Sequence, residues 1–236
     1  MSLFVLVMLP VLLSLGSWQL RRGAEKEALE TGYLARSGDL PLDSQNVAAI
    51  DREAMAFVRL RLQGRYLPDQ YYLIDNQVHE GVVGYWVLHP FVTVDNRVWL
   101  VNRGFTPAPG PRELLPAVAT PSESLQITAL VWPDTGLQPR FGEIPEAGSW
   151  PRIRQRIDAR TLAAEHLQGQ PLELRLEPAQ PGVLLAAPSS FASGAARHRG
   201  YAVQWFGLAA VLMIGFVVFG LRRRAADDAG SAQDIT

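Results

Sequence analysis

The sequence predicts a membrane protein in which two transmembrane helices flank a mainly antiparallel β (α+β) domain on the outer side of the membrane. Three observations carry this. No charged side chain occurs in residues 2–20 or in residues 200–221. Arg222, Arg223 and Arg224 follow the second stretch at once, and a basic cluster flanking a span is retained on the cytoplasmic side. Between the stretches, apolar residues recur with a period of two, the mark of half-buried strands.

Residues 200–221 would form a helix of about 33 Å at ~1.5 Å per residue, enough for a hydrocarbon core of roughly 30 Å. Residues 2–20 reach about 28 Å on the same arithmetic, just long enough. A cleaved signal peptide is the competing reading of that first stretch, but it lacks a basic n-region and a clear A-x-A site. Two spans with both ends inside then divide the chain into span 2–20, outer domain 21–199, span 200–221 and cytoplasmic tail 222–236. Arg21, Arg22 and Lys26 sit on the outer flank against the positive-inside tendency, from which very long loops are largely exempt.

The outer region is of ordinary single-domain size. With 22 Lys+Arg against 23 Asp+Glu and no basic stripe, nucleic acid is not an expected partner. Cysteine is absent, which excludes disulfides, thiolate metal sites and CxxC redox chemistry. An outer-facing domain must therefore be stable by its core alone.

Residues 23–35 have Lys, Glu, Ala and Leu in helical proportions, so the first span continues as a juxtamembrane helix that Gly38 to Pro41 ends. Val58, Leu60 and Leu62 alternate with Phe57, Arg59, Arg61 and Gln63, a strand that the stretch from Gly64 to Pro68 closes. Residues 71–74, 84–94 and 98–102 read as further strands of an antiparallel meander, with Asp95-Asn96 turning between the last two. Five prolines make residues 106–121 a loop. Strands resume at 126–131, 151–157 and 172–176, and Asp158 caps a short helix running to His166.

Catalytic signals are weak. His79, His89, His166 and His198 make no metal pair at helical spacing, and nucleophile elbows and phosphate loops are missing. Asp75-Asn76 beside His79-Glu80 falls between predicted strands, where turn chemistry accounts for it. Val101-Asn102-Arg103-Gly104-Phe105 offers an arginine able to grip a partner's carboxylate, or one paired inside the domain with Gly104 at a turn. At the polar end of the second span, His198, Tyr201, Ala202 and Trp205 share a helix face, with small Ala202 between three rings on which a flat aromatic ligand could lie. An ordinary aromatic belt at headgroup level is the competing reading. Trp18 and Gln19 on the first span are placed to face Gln204 and Trp205 on the second.

The stretch from Leu15 to Arg22 with Lys26, then Gly64-Arg65-Tyr66, Gly84-Tyr85, residues 101–105, and finally residues 198–206 resemble, in order and over nearly the whole chain, the Surfeit locus protein 1 family. The resemblance implies an assembly factor for a haem-copper, cytochrome c type terminal oxidase, not an enzyme. It would lie in the bacterial inner membrane as a multi-pass protein with its domain in the periplasm. It further implies that haem a is held transiently and presented to oxidase subunit I, with a haem a synthase and membrane lipid as further partners. The family's membrane-proximal histidine falls on His198, the candidate ligand of the haem iron. Tyr201, Gln204 and Trp205 match the same motif, and their role as a cofactor-binding wall follows from helix geometry. Arg103, Trp18 and Gln19 are the partner-facing candidates. Arg197 stands where relatives often have Lys, Gln77 where many have Arg, and Phe105 where Trp is usual. The alternative reading is a scaffold that binds no cofactor and stabilises nascent subunit I.

Overall fold

The computed structural model describes residues 2–47, 54–111, 114–133, 149–155, 157, 169–186 and 192–233. The chain divides into two compact units. One comprises Met1–Thr31 and Ser190–Thr236, the other Gly32–Ser189.

The first unit is a pair of antiparallel helices, α1 (Ser2–Arg36, whose last turn belongs to the second unit) and α2 (Ala192–Gln233). Both are long and apolar enough to cross a membrane. They are not core helices of a soluble fold, because Leu3, Phe4, Leu6, Val203, Val211 and Ile214 are exposed around them. Helices apolar on all sides require an apolar solvent. The predicted juxtamembrane extension is seen: α1 runs without a break to Arg36.

The second unit is a closed ring of strands with appended edges. Its strands are β1 (Leu42–Asp43), β2 (Arg59–Tyr66), β3 (Tyr72–His79), β4 (Val82–Thr93), β5 (Val98–Pro107), β6 (Leu125–Trp132), β7 (Arg152–Arg154) and β8 (Gly169–Leu176). The sheet order is β1-β2-β6-β8-β5-β4-β3-β7, and an additional β2–β4 pairing closes β2, β6, β8, β5 and β4 into a barrel. Most pairs are antiparallel, but β5 pairs β8 in parallel, as do β1 with β2 and β3 with β7. The meander expectation thus holds for β3-β4-β5 and fails for β2, which lies beside β6 and the end of β4.

The alternation expected in β2 is present, since Leu60, Leu62 and Tyr66 point inward. Gly64, expected to begin a strand-closing stretch, lies within the strand. A Cβ there would come 2.0 Å from the Val92 carbonyl oxygen, so glycine is what lets β2 approach β4 where the ring closes. The ring is filled by Leu60, Leu62, Tyr66, Phe91, Trp99, Val101, Ile127 and Leu174, all essentially inaccessible to solvent.

The turn at Asp95-Asn96 is present, with Asn96 at φ 59° and Thr93 bonded to Arg97 across it. Asp75 and Asn76, expected between strands, lie inside β3 at a register shift between Ile74 and Gln77. Asn76 takes a positive φ there, which asparagine tolerates better than most residues. The hairpin lies further on, where Glu80 and Gly81 both have positive φ, as a type I′ turn requires. The predicted helix from Asp158 to His166 lies outside the described residues.

Candidate functional site

Small residues set the geometry of the helix pair. Ala195, Ala202 and Ala209 are buried on α2 at intervals of seven, and Val5, Leu12, Gly16 and Gly23 are buried on α1. Such small side chains let helix backbones approach closely in a membrane. A Cβ added at Gly16 would meet the Phe206 ring at 2.8 Å, and one at Gly23 would lie 3.5 Å from the Cβ of His198. Motif reasoning does not single out Gly23, Ala195 or Ala209, although the seven-residue spacing of the alanines is a readable signal.

Within this seam, Nδ1 of His198 lies 2.6 Å from Oε1 of Gln19. An amide oxygen can only accept, so Nδ1 is the donor in this contact, which in a neutral ring leaves the lone pair on Nε2. No partner for Nε2 is seen among the described residues. Arg199, the next residue of α2, pairs with Glu27, about two turns beyond Gln19 on α1, at 2.5 Å across the same seam.

Gln19 therefore meets α2 at His198, not at Gln204 and Trp205. Trp18 points away from the seam and is 45% exposed, because it lies about 200° around α1 from Gly16. The open three-ring face expected around Ala202 is not present. Ala202 is 1% exposed, since α1 covers it. Tyr201, 47% exposed, and half-buried Trp205 lie on one flank of the covered strip beside His198, while Gln204 is exposed farther round α2. What the structure brings together is thus His198 with Gln19, and next to them an aromatic flank.

Arg103 is placed elsewhere, and the partner-facing expectation for it does not stand. Its side chain is 2% exposed. Nε donates to the Gly182 carbonyl at 2.7 Å, Nη2 to the Ala119 carbonyl at 2.8 Å, and Nη1 to Nδ1 of His89 at 3.1 Å. The guanidinium also lies 5.0 Å from the centre of the Tyr66 ring. His89 in turn donates from Nε2 to the Leu67 carbonyl at 2.7 Å, so both its nitrogens are engaged. Burial, aided by the facing Arg103 charge and only partly offset by the Leu67 bond, lowers the His89 pKa to about 4. Burial likewise pushes the Tyr66 hydroxyl up to about 12.

The rest of the motif is architectural too. Asn102 donates to Glu173 of β8 at 2.9 Å and accepts from the Gly104 amide at 3.0 Å. Gly104 sits at φ 114°, where a Cβ would come 2.2 Å from the Leu185 carbonyl oxygen. Phe105 packs edge-on against Trp86. Among the described residues no three His, Cys, Asp or Glu side chains gather as a metal site.

The model of the SURF1 family matches residues 6–210, from the first helix through the His198 seam. The chain belongs to the SURF1 family. A SURF1-like protein of Rickettsia felis is 25% identical over 231 residues, covering 92% of this chain and 96% of the relative. A SURF1-like protein of Rickettsia conorii is 25% identical over 239 residues, covering 96% and 93%. In this SURF1 chain the matched region takes in both halves of the helix seam and the whole barrel, and stops before Arg222.

Proposed function

We propose that this SURF1 protein is an assembly factor for a haem-copper terminal oxidase that holds haem a through His198 and presents it to oxidase subunit I. The single observation that carries the haem reading is the half-satisfied imidazole: Nδ1 is held by Gln19, and no partner for Nε2 is seen among the described residues. Family membership supports the coarser role in cytochrome oxidase assembly.

The residues fit such a cargo. A haem iron takes a neutral imidazole nitrogen as axial ligand, and His198 is the only histidine of the helical unit. Tyr201 and Trp205 provide a flank on which a macrocycle can pack, bordered by apolar side chains such as Leu208. One ligand suits a protein that must give its cargo up. The chemistry is holding, not catalysis. The orientation that goes with this reading is an inner-membrane protein with both termini cytoplasmic and the barrel in the periplasm, supported by Arg222, Arg223 and Arg224. A haem a synthase upstream and subunit I downstream are the partners it requires.

The cofactor-free scaffold reading rests on Arg103, whose guanidinium is enclosed by its own domain. No other observation favours it.

The test is the optical spectrum of the detergent-purified full chain, expressed together with haem a synthesis. Bound pigment is expected, and His198→Ala should lose it by tenfold or more. Retained haem with an unchanged spectrum in His198→Ala would remove His198 from the role.

A further inference from the structure

Gly16, Gln19 and Gly23 fall at i, i+3 and i+7 of α1 and so form one strip. The strip faces α2: Gly16 against Phe206, Gln19 against the His198 ring, Gly23 against the His198 Cβ and the Ala195 carbonyl. The two glycines bring the helices close enough for a side chain as short as glutamine to reach an imidazole across the seam. We infer that Gln19 is the positioning residue of His198: it fixes the Nδ1–H tautomer, leaves Nε2 as the ligating nitrogen and sets how strongly that nitrogen donates. The inference rests on the haem-holding reading for its purpose, but not for its first readout.

The chemistry follows from what an amide is. Which ring nitrogen of a histidine is available is decided by the hydrogen bond that the other one makes. Removing the acceptor frees the imidazole to place its proton on Nε2, where it blocks ligation. The strength of the acceptor matters as well, because a carboxylate behind a ligating histidine raises its basicity and its grip on a metal. A neutral amide orients the ring with less polarisation. For a cargo that must leave for another protein, a firm orientation with a moderate bond is the useful combination.

Three full-length variants test this in detergent: Gln19→Leu, Gln19→Glu, and His198→Ala as the control that identifies the His198 signals. In the haem-free protein, ¹⁵N shifts of histidine report which nitrogen is protonated. Wild type should show an unprotonated Nε2, Gln19→Leu should move the proton to Nε2, and Gln19→Glu should restore the wild-type tautomer. With haem a bound, Gln19→Leu should weaken retention by about 10- to 100-fold, the range expected for loss of a ligand's supporting partner. Gln19→Glu should retain haem longer than wild type and lower its reduction potential. An unchanged tautomer in Gln19→Leu together with haem affinity within about twofold of wild type would overturn the inference. If wild type carries no haem while the tautomer still switches, the holding reading fails and the positioning by Gln19 stands.

Discussion

His89 and His198 are two imidazoles with opposite surroundings. His89 is 0% exposed inside the barrel, and each of its nitrogens has a partner, Arg103 on one side and the Leu67 carbonyl on the other. His198 lies on a helix flank with one nitrogen engaged and one left over. The difference teaches where chemistry can reside. A fully satisfied ring contributes to stability and is inert as a ligand, whereas a half-satisfied ring at an accessible edge is held in place and remains reactive.

Breaking the closed network should have the largest effect on stability. Arg103→Met removes three donors and leaves the Gly182 and Ala119 carbonyls and the His89 Nδ1 without a partner. A loss of about 4 kcal/mol is expected, from hydrogen bonds to a charged group at roughly 1.5–3 kcal/mol each, partly relaxed. Thermal or urea unfolding of the barrel measures it. Arg103→Lys should rescue little, because one ammonium cannot serve three divergent acceptors. Wild-type stability in Arg103→Met would mean that the network is ornamental.

Acid should come next. Unfolded, His89 takes up a proton near its ordinary value of 6.5, while folded it resists to about 4. Between those values the unfolded chain binds the extra proton. Stability from this group is therefore complete above about pH 6.5 and falls as the pH drops toward 4, by about 3 kcal/mol in all. Unfolding midpoints measured across that range should show the step, and His89→Gln should flatten it.

A smaller effect is expected in the helix pair. Gly16→Ile places a branched side chain where the Phe206 ring already stands. Overpacking of this kind costs about 2 kcal/mol, read as unfolding of the helices at a lower concentration of sodium dodecyl sulphate. The barrel's own thermal transition should not move.

Much of the fold is legible in the residues, for particular reasons. The spans are readable because a long apolar run ending in three arginines is at home in a bilayer and almost nowhere else. Strand β2 is readable because its alternation is clean, and the Asp95-Asn96 turn because those residues tolerate positive φ. Ring closure is not readable: it depends on β8 inserting beside β5 in parallel and on Gly64 permitting contact with Val92, and neither leaves a local pattern. Arg103 cannot be assigned from type alone, since an arginine after an apolar strand serves an interface or an interior equally well. At the helix seam, His198 and Gln19 each stand out as candidates, yet their contact spans |i−j| = 179. Spacing along one helix suggests an aromatic face around Ala202. It cannot reveal that a second helix covers that face.

Five strands make a narrow ring, and Trp99, Tyr66 and Phe91 occupy its bore. Barrels that carry a small molecule inside need about eight strands, and even those have just enough width. The barrel of this protein is therefore a plug and not a cup. A porphyrin has no room within it, so the haem proposed for His198 would have to be held outside the bore.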